Sequence, residues 1–182
     1  MIHDNSSQQE SASTPRSILV GSRGWQQEHW SGDFYPQDLP EDWRLSYYAN
    51  EFPAVLVPAL SWQAAGAELE DWSDEVHEEF RFYLQRDNEP SADIKKLGIL
   101  AKQQLGPQFA GFVEFENELN NDVMLDRTCS VALINMQSKS LRGWREWLEN
   151  NAANLQAIFL SDETLSYKEL SEFKSLIELL NL

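Results

Sequence analysis

Short apolar runs and amphipathic segments alternate about six times along this chain of 182 residues. The apolar runs are predicted as strands, over 18–20, 54–57, 80–84, 109–115, 129–136 and 157–160. The amphipathic segments are predicted as helices, over 39–52, 65–76, 91–105, 141–152 and a last one that opens with the capping box Ser166-x-x-Glu169. Strands joined through helices imply βαβ crossovers and a mostly parallel sheet covered by helices. The sequence therefore predicts an α/β fold.

Two architectures satisfy this alternation, a (β/α) barrel and an open doubly wound sheet. A full eightfold barrel typically takes about 250 residues. Residues 1–16 are rich in Ser, Gln and Thr and are predicted as a disordered tail, which leaves residues 17–182 as a single domain. That length is too short for eight standard units. The pattern alone does not decide between an open sheet and a reduced barrel.

The charge and the cysteine content indicate which partners and which cellular compartment the sequence favours. The chain has 30 acidic and 14 basic residues, a net charge of −16. Such a surface repels phosphate groups, so we expect no nucleic-acid partner and no membrane association. Cys129 is the single cysteine, no apolar run approaches the ~20 residues that span a bilayer, and no secretory signal is present. These features predict a cytoplasmic protein.

The loop that follows the first predicted strand concentrates the residues suited to binding. Positions 21–36 read GSRGWQQEHWSGDFYP, with two Trp, an Arg and a His in one short stretch. In either architecture a ligand lies at the carboxyl ends of the strands, where this loop begins. The chain lacks the G-x-G-x-x-G and P-loop patterns, which disfavours dinucleotide binding. The acidic run 68–79 is predicted as a solvated helix face.

Three segments resemble the opening of the YecE-like family, also catalogued as domain of unknown function 72. They are Ile18–Trp25 (ILVGSRGW), Trp30–Pro36 (WSGDFYP) and the Tyr47–Phe52 part of the first helix (YYANEF). The resemblance implies a TIM-barrel-like fold and brings no established reaction with it. It also implies that Ser22, Trp25, Trp30 and Tyr35 line or shape the site.

The chain departs from the family's pattern in several places. Arg23 stands where the family usually has a small hydroxyl residue. After the second strand the family has a polar Glu-x-Asn segment, whereas residues 55–62 here read VLVPALSW. The segments 114–117 (EFEN) and 161–163 (SDE) also differ from the family's Glu-Phe-Arg-His and Asn-Asn-Asp. The resemblance thus implies a divergent, shortened member whose original site is partly dismantled.

Each candidate residue suggests one kind of chemistry beside a purely structural role. Arg23 presents a planar fork to a phosphate or carboxylate, or pairs with a nearby acidic residue. Trp25 and Trp30 stack on a ligand or pack in the core. His29 and Glu114 are candidates for a general acid or base. No His, Cys and carboxylate spacing matches a metal site, so we expect neither metal nor cofactor.

Two classes of function stay open at this point. The first is a degenerate, non-catalytic protein that binds a small ligand or a protein partner at the carboxyl ends of the strands. The loss of the family's Glu and Asn after the second strand favours this class. The second is a metal-independent enzyme acting on a carbohydrate-like or phosphorylated small molecule, held by Arg23, Trp25, His29 and Trp30.

Overall fold

The computed structural model describes residues 17–86, 91–115, 122–128, 130–161 and 163–182. The strands in these ranges are β1 (Leu19–Ser22), β2 (Ala54–Val57), β3 (Arg81–Gln85), β4 (Phe109–Val113), β5 (Val123–Leu125), β6 (Val131–Ile134) and β7 (Ala157–Leu160). The helices are α1 (Arg44–Glu51), α2 (Ala59–Ala65), α3 (Leu69–Glu75), α4 (Ala92–Leu105), α5 (Leu141–Asn151) and α6 (Tyr167–Leu179). The predicted α/β class is confirmed.

The strands form two sheets whose pairings are mostly parallel. One sheet has the order β1-β7-β6-β5 and the other β2-β3-β4. Every pairing within them is parallel except the antiparallel pair of β5 with β6. Single bridges join the two sheets at both ends, a parallel one between Arg23 and Leu56 and an antiparallel one between Phe115 and Asp126.

The boundary between β1 and β2 is held by a side chain as well as by backbone. The hydroxyl of Tyr48, from α1, donates to the Ala54 carbonyl at 3.0 Å and accepts from the Ser22 N–H at 2.8 Å. It thereby satisfies two strand groups that a regular ladder would pair with each other. Gly21 is required here because any Cβ would collide with the Ala54 carbonyl oxygen.

Two apolar clusters form on the two sides of the strands. The smaller lies between the sheets, where Tyr83 of β3 and Phe159 of β7 meet with ring centroids 5.2 Å apart. Its members come from every strand or from the residues next to it: Ala54, Leu56, Tyr83, Val113, Phe115, Val131, Leu133, Ala157 and Phe159, with Leu19 and Met124 packed against them. The larger cluster extends from Ile18 to Ile177 and packs the helices onto the strands.

Three sequence predictions need correction. The predicted helix 65–76 is limited to α3, which begins only at Leu69, and the separate helix α2 before it, which ends at Gly66 with a φ of +53°, was not predicted. The predicted helix 39–52 starts as a 3-10 turn over Glu41–Trp43 before α1. The predicted strand 129–136 is limited to Val131–Ile134, and the antiparallel β5 before it was not predicted. The predicted tail 1–16 and Cys129 lie outside the described residues.

Candidate functional site

A cavity of about 480 Å³ opens at the carboxyl ends of β1 and β2. One wall is the loop that leaves β1, over residues 23–27, and the opposite wall is formed by α2 and the residues that lead into α3. Gly24 turns the loop at a φ of +80° and donates its N–H to the Leu56 carbonyl at 2.9 Å. The start of the predicted binding loop therefore lies at the strand ends.

Arg23 reaches this cavity with its guanidinium half-buried. Its Nε donates to the side-chain carbonyl of Gln85, at the end of β3, over 2.9 Å. No carboxylate among the described residues forms a salt bridge with it, and burial lowers the pKa of the Arg23 side chain from its usual value. The neutral Gln85 thus orients the cation and leaves its charge uncompensated.

Trp25 and Trp72 form an aromatic corner of the cavity. Their rings meet edge to face with centroids 4.9 Å apart. Trp25 is fixed through its backbone, because the Tyr35 hydroxyl donates to its carbonyl at 2.6 Å. Within the described part of the chain, no group accepts a hydrogen bond from the Trp25 indole N–H.

The other predicted binding residues lie beneath the loop instead of in the cavity wall. Ser22 is buried and donates its Oγ hydrogen to the Gly24 carbonyl at 2.6 Å. Trp30 is fully buried and its indole N–H donates to the Leu165 carbonyl, also at 2.6 Å. Burial raises the pKa of the Tyr35 and Tyr48 hydroxyls well above the usual range, so both stay protonated as donors. Ligand contact by Ser22, Trp30 or Tyr35 stays a prediction; the structure gives each of them a packing role.

The two catalytic candidates are engaged elsewhere. His29 places its Nε2 at 2.8 Å from the Leu165 carbonyl oxygen, which requires a hydrogen on that nitrogen. Glu114, just after β4, pairs with Arg127 at 3.2 Å. Neither residue lines the cavity, so the structure does not bring them together with Arg23. Glu116 and Asp162, two further acidic residues that follow the predicted strands 109–115 and 157–160 in the sequence, lie outside the described residues.

A second cavity of about 680 Å³ adjoins the first and is acidic. It shares Trp25, Gln26, Glu68 and Trp72 with the first cavity and adds five carboxylates, those of Glu41, Asp42, Asp71, Asp74 and Glu75. Burial, and then the neighbouring charges of Asp42 and Asp71, raise the pKa of the Glu75 carboxyl. The run 68–79, predicted as a solvated helix face, therefore contributes residues to the walls of both cavities.

Sequence reasoning missed Trp72, Gln85 and this acidic groove. The single available signal was a Trp in an otherwise polar helical run. No group of three or more His, Cys, Asp or Glu in the described ranges is arranged to hold a metal ion. Over those same ranges, no helix combines the length and apolar character needed to cross a membrane.

Comparison with known proteins gives one match. A family model described as "Protein of unknown function DUF72" matches residues 19–114, more than half of the chain. The match contains β1 to β4, and every residue that lines the first cavity falls within it. No curated protein and no solved structure matches significantly.

Proposed function

The chain belongs to the DUF72 family, and from that premise we propose that it is a non-catalytic protein that binds a small organic anion at the carboxyl ends of β1 and β2. The single observation that supports this most is the environment of Arg23. A half-buried guanidinium lines a cavity, is oriented by an amide and has no anionic partner among the described residues. In a chain of net charge −16, a cation without a carboxylate partner is poised for an external one.

The aromatic corner suits the rest of such a ligand. The Trp25 and Trp72 rings offer apolar area beside the guanidinium, and the Trp25 N–H offers one donor. A pocket with apolar walls and a few fixed polar groups is the usual form of a small-molecule site. The ligand's carboxylate or phosphate would take the terminal nitrogens of Arg23, because Gln85 already occupies Nε.

The residues around the cavity favour binding without chemistry. Its titratable lining groups are Arg23 and Glu68, and neither is paired with a nucleophile. The family's polar segment after the second strand is replaced in this chain by α2, whose residues Ala59 and Trp62 are buried. The Trp62 N–H donates to the backbone carbonyl of Gln85 at 2.7 Å, so it is used within the protein. The enzymatic alternative stays a prediction that no described contact favours.

We further propose that the two sheets form a reduced, TIM-barrel-like β/α fold. Through the bridge between Arg23 and Leu56 the strand order becomes β4-β3-β2-β1-β7-β6-β5, in which β1 lies between the second and the last strand, as in a barrel. The bridge between Phe115 and Asp126 links the remaining edges. The smaller apolar cluster, drawn from every strand, would then be the interior of the barrel.

A thermal-shift screen followed by calorimetry tests the binding proposal. Sugars, sugar phosphates, nucleotides and organic acids are the ligands, and one present at 100 times its Kd should stabilise the protein by about 2.7 kcal/mol. Arg23→Ala should abolish the shift. Arg145→Ala, which removes an exposed arginine paired with Glu149 on α5, is the matched control and should keep it. Equal stabilisation of wild type and Arg23→Ala by every ligand that binds would overturn the proposal.

A further inference from the structure

The two cavities form one continuous cleft with charges of opposite sign at its two ends. They share four lining residues, and the Trp25–Trp72 pair stands in the common wall. At one end lies the Arg23 guanidinium. At the other lie five carboxylates, with Glu68 at the junction and no Lys or Arg in the lining.

The carboxylates at the acidic end are not neutralised by the protein. In the described part of the chain, none of the six acidic residues of the cleft takes part in a salt bridge. Burial, and then the nearby charges of Asp42 and Asp71, raise the pKa of the Glu75 carboxyl. A ligand that brought only negative charge to Arg23 would be repelled by this wall, whereas a cationic group would be attracted to it.

We infer that the ligand is amphoteric: a small molecule of the amino-acid or short-peptide class, with a free carboxylate for Arg23 and a protonated amine or guanidine for the acidic end. This inference rests on the proposed binding function and specifies its ligand class. The aliphatic part between the two charged groups would pass the Trp25 and Trp72 rings, which also attract a cation through their faces. Polyphosphates and polycarboxylates would be rejected by the same arrangement.

Calorimetric titration with charge-edited probes tests the inference. The intact probes are L-lysine, L-arginine and the dipeptide Gly-Lys. Each is also prepared as its carboxyl amide, which removes the negative charge. Each is prepared as well in a charge-neutralised form, in which the amines are acetylated and citrulline replaces arginine. At least one intact probe should bind, and removal of either charged group should weaken it about tenfold or more. Arg23→Ala should remove the difference between the free acid and the amide.

The acidic end is tested separately. The double variant Asp71→Asn/Asp74→Asn should weaken the intact probe several-fold and leave the charge-neutralised form unchanged. Glu146→Gln, which removes an exposed carboxylate on α5 outside the cleft, should change neither. The inference is overturned, and the proposed function kept, if an organic anion binds through Arg23 while no intact probe binds more tightly than its charge-neutralised form. Both fail if no anion of any kind binds in an Arg23-dependent manner.

Discussion

Trp25 and Trp30 lie five residues apart in one loop and are almost equally buried, at 4% and 0% exposure, yet they differ in the polar atom that each ring presents. The Trp30 N–H is used inside the protein, where it donates to Leu165 at 2.6 Å. The Trp25 N–H has no acceptor among the described residues, and its ring borders a cavity. Exposed area therefore does not distinguish the two side chains, whereas the hydrogen-bond partner of the ring N–H does. This difference supports our proposal that Trp25, and not Trp30, contacts the ligand.

The comparison extends to the neighbours of each ring. Around Trp30 lie Phe34, Tyr35 and Tyr48, whose ring centroids are within 6.4 Å of its own. Around Trp25 lie Trp72, Gln26 and the Arg23 guanidinium, which belong to a cavity wall. The loop thus has a packing half around Trp30 and a cavity half around Trp25, where we propose that the ligand binds, and we expect the two halves to respond differently to substitution.

The largest effect is expected in the packing half. Trp30→Ala should lower the free energy of unfolding by about 3–5 kcal/mol, because it leaves a large cavity and removes one of the two hydrogen-bond donors to the Leu165 carbonyl. Urea denaturation followed by circular dichroism measures it. Trp25→Ala should cost less than half as much while it abolishes ligand binding. Equal losses of stability would erase the distinction between the halves.

Tyr48→Phe tests the hydroxyl that underlies the packing half. It should cost about 1–3 kcal/mol, because the Ser22 N–H and the Ala54 carbonyl lose their partner in a buried place. Tyr47→Phe, one residue earlier and partly exposed, is the control and should change the unfolding midpoint little. A cost for Tyr48→Phe no larger than the control's would show that backbone pairing alone holds β1 beside β2.

Arg23→Ala should separate binding from stability in the other half. It removes one hydrogen bond to Gln85, so we expect a loss of at most about 1 kcal/mol. Ligand binding should fall by at least about tenfold. Chemical denaturation and calorimetry on the same preparation give both numbers. A large loss of stability without a change in affinity would place Arg23 with the packing residues.

The smallest effect concerns the acidic wall. The folded-state pKa of Glu75 lies above its unfolded value, which is about 4.3. When the pH is above the folded-state pKa, the charged carboxylate of Glu75 therefore destabilises the folded protein. This destabilisation disappears as the pH falls below the unfolded-state pKa, because the carboxyl is then protonated in both states. Glu75→Gln should raise the urea midpoint slightly at pH 7 and leave it unchanged below about pH 4. A lower urea midpoint at pH 7 would contradict the raised pKa of Glu75.

The sequence was sufficient for elements whose signal is local. The apolar run 54–57 is β2 residue for residue, and the capping box of α6 forms as predicted, with Ser166 and Glu169 bonding each other's backbone N–H groups. The sequence was insufficient for elements that form only through contacts with distant parts of the chain. The three residues of β5 become a strand only because β6 offers an edge, and the short helix α2, which was not predicted, packs Ala59 and Trp62 into the core.

The same division applies to the site. Gly24, Arg23 and Trp25 are near in sequence, so their loop was located correctly at the strand ends. Gln85, which binds Arg23, and Trp72, which lines the cavity, lie about fifty to sixty residues later in the chain, and no local pattern links them to the loop. The local sequence also does not indicate that the Trp30 N–H bonds the Leu165 carbonyl while the Trp25 N–H does not. The Leu165 carbonyl lies 135 residues away from Trp30 in the chain.

That distant acceptor has a consequence for the nascent chain on the ribosome. Two donors of the loop, from His29 and Trp30, converge on the carbonyl of Leu165, and β1 has its full ladder with β7. The family-matched region ends at residue 114, so it is synthesised before either partner exists. At about 5–20 residues per second, translation from residue 114 to 165 takes roughly 3–10 s. During that interval the aromatic residues of the packing half lack their final packing and hydrogen-bond partners, so the loop cannot complete its native contacts until residue 165 has been added.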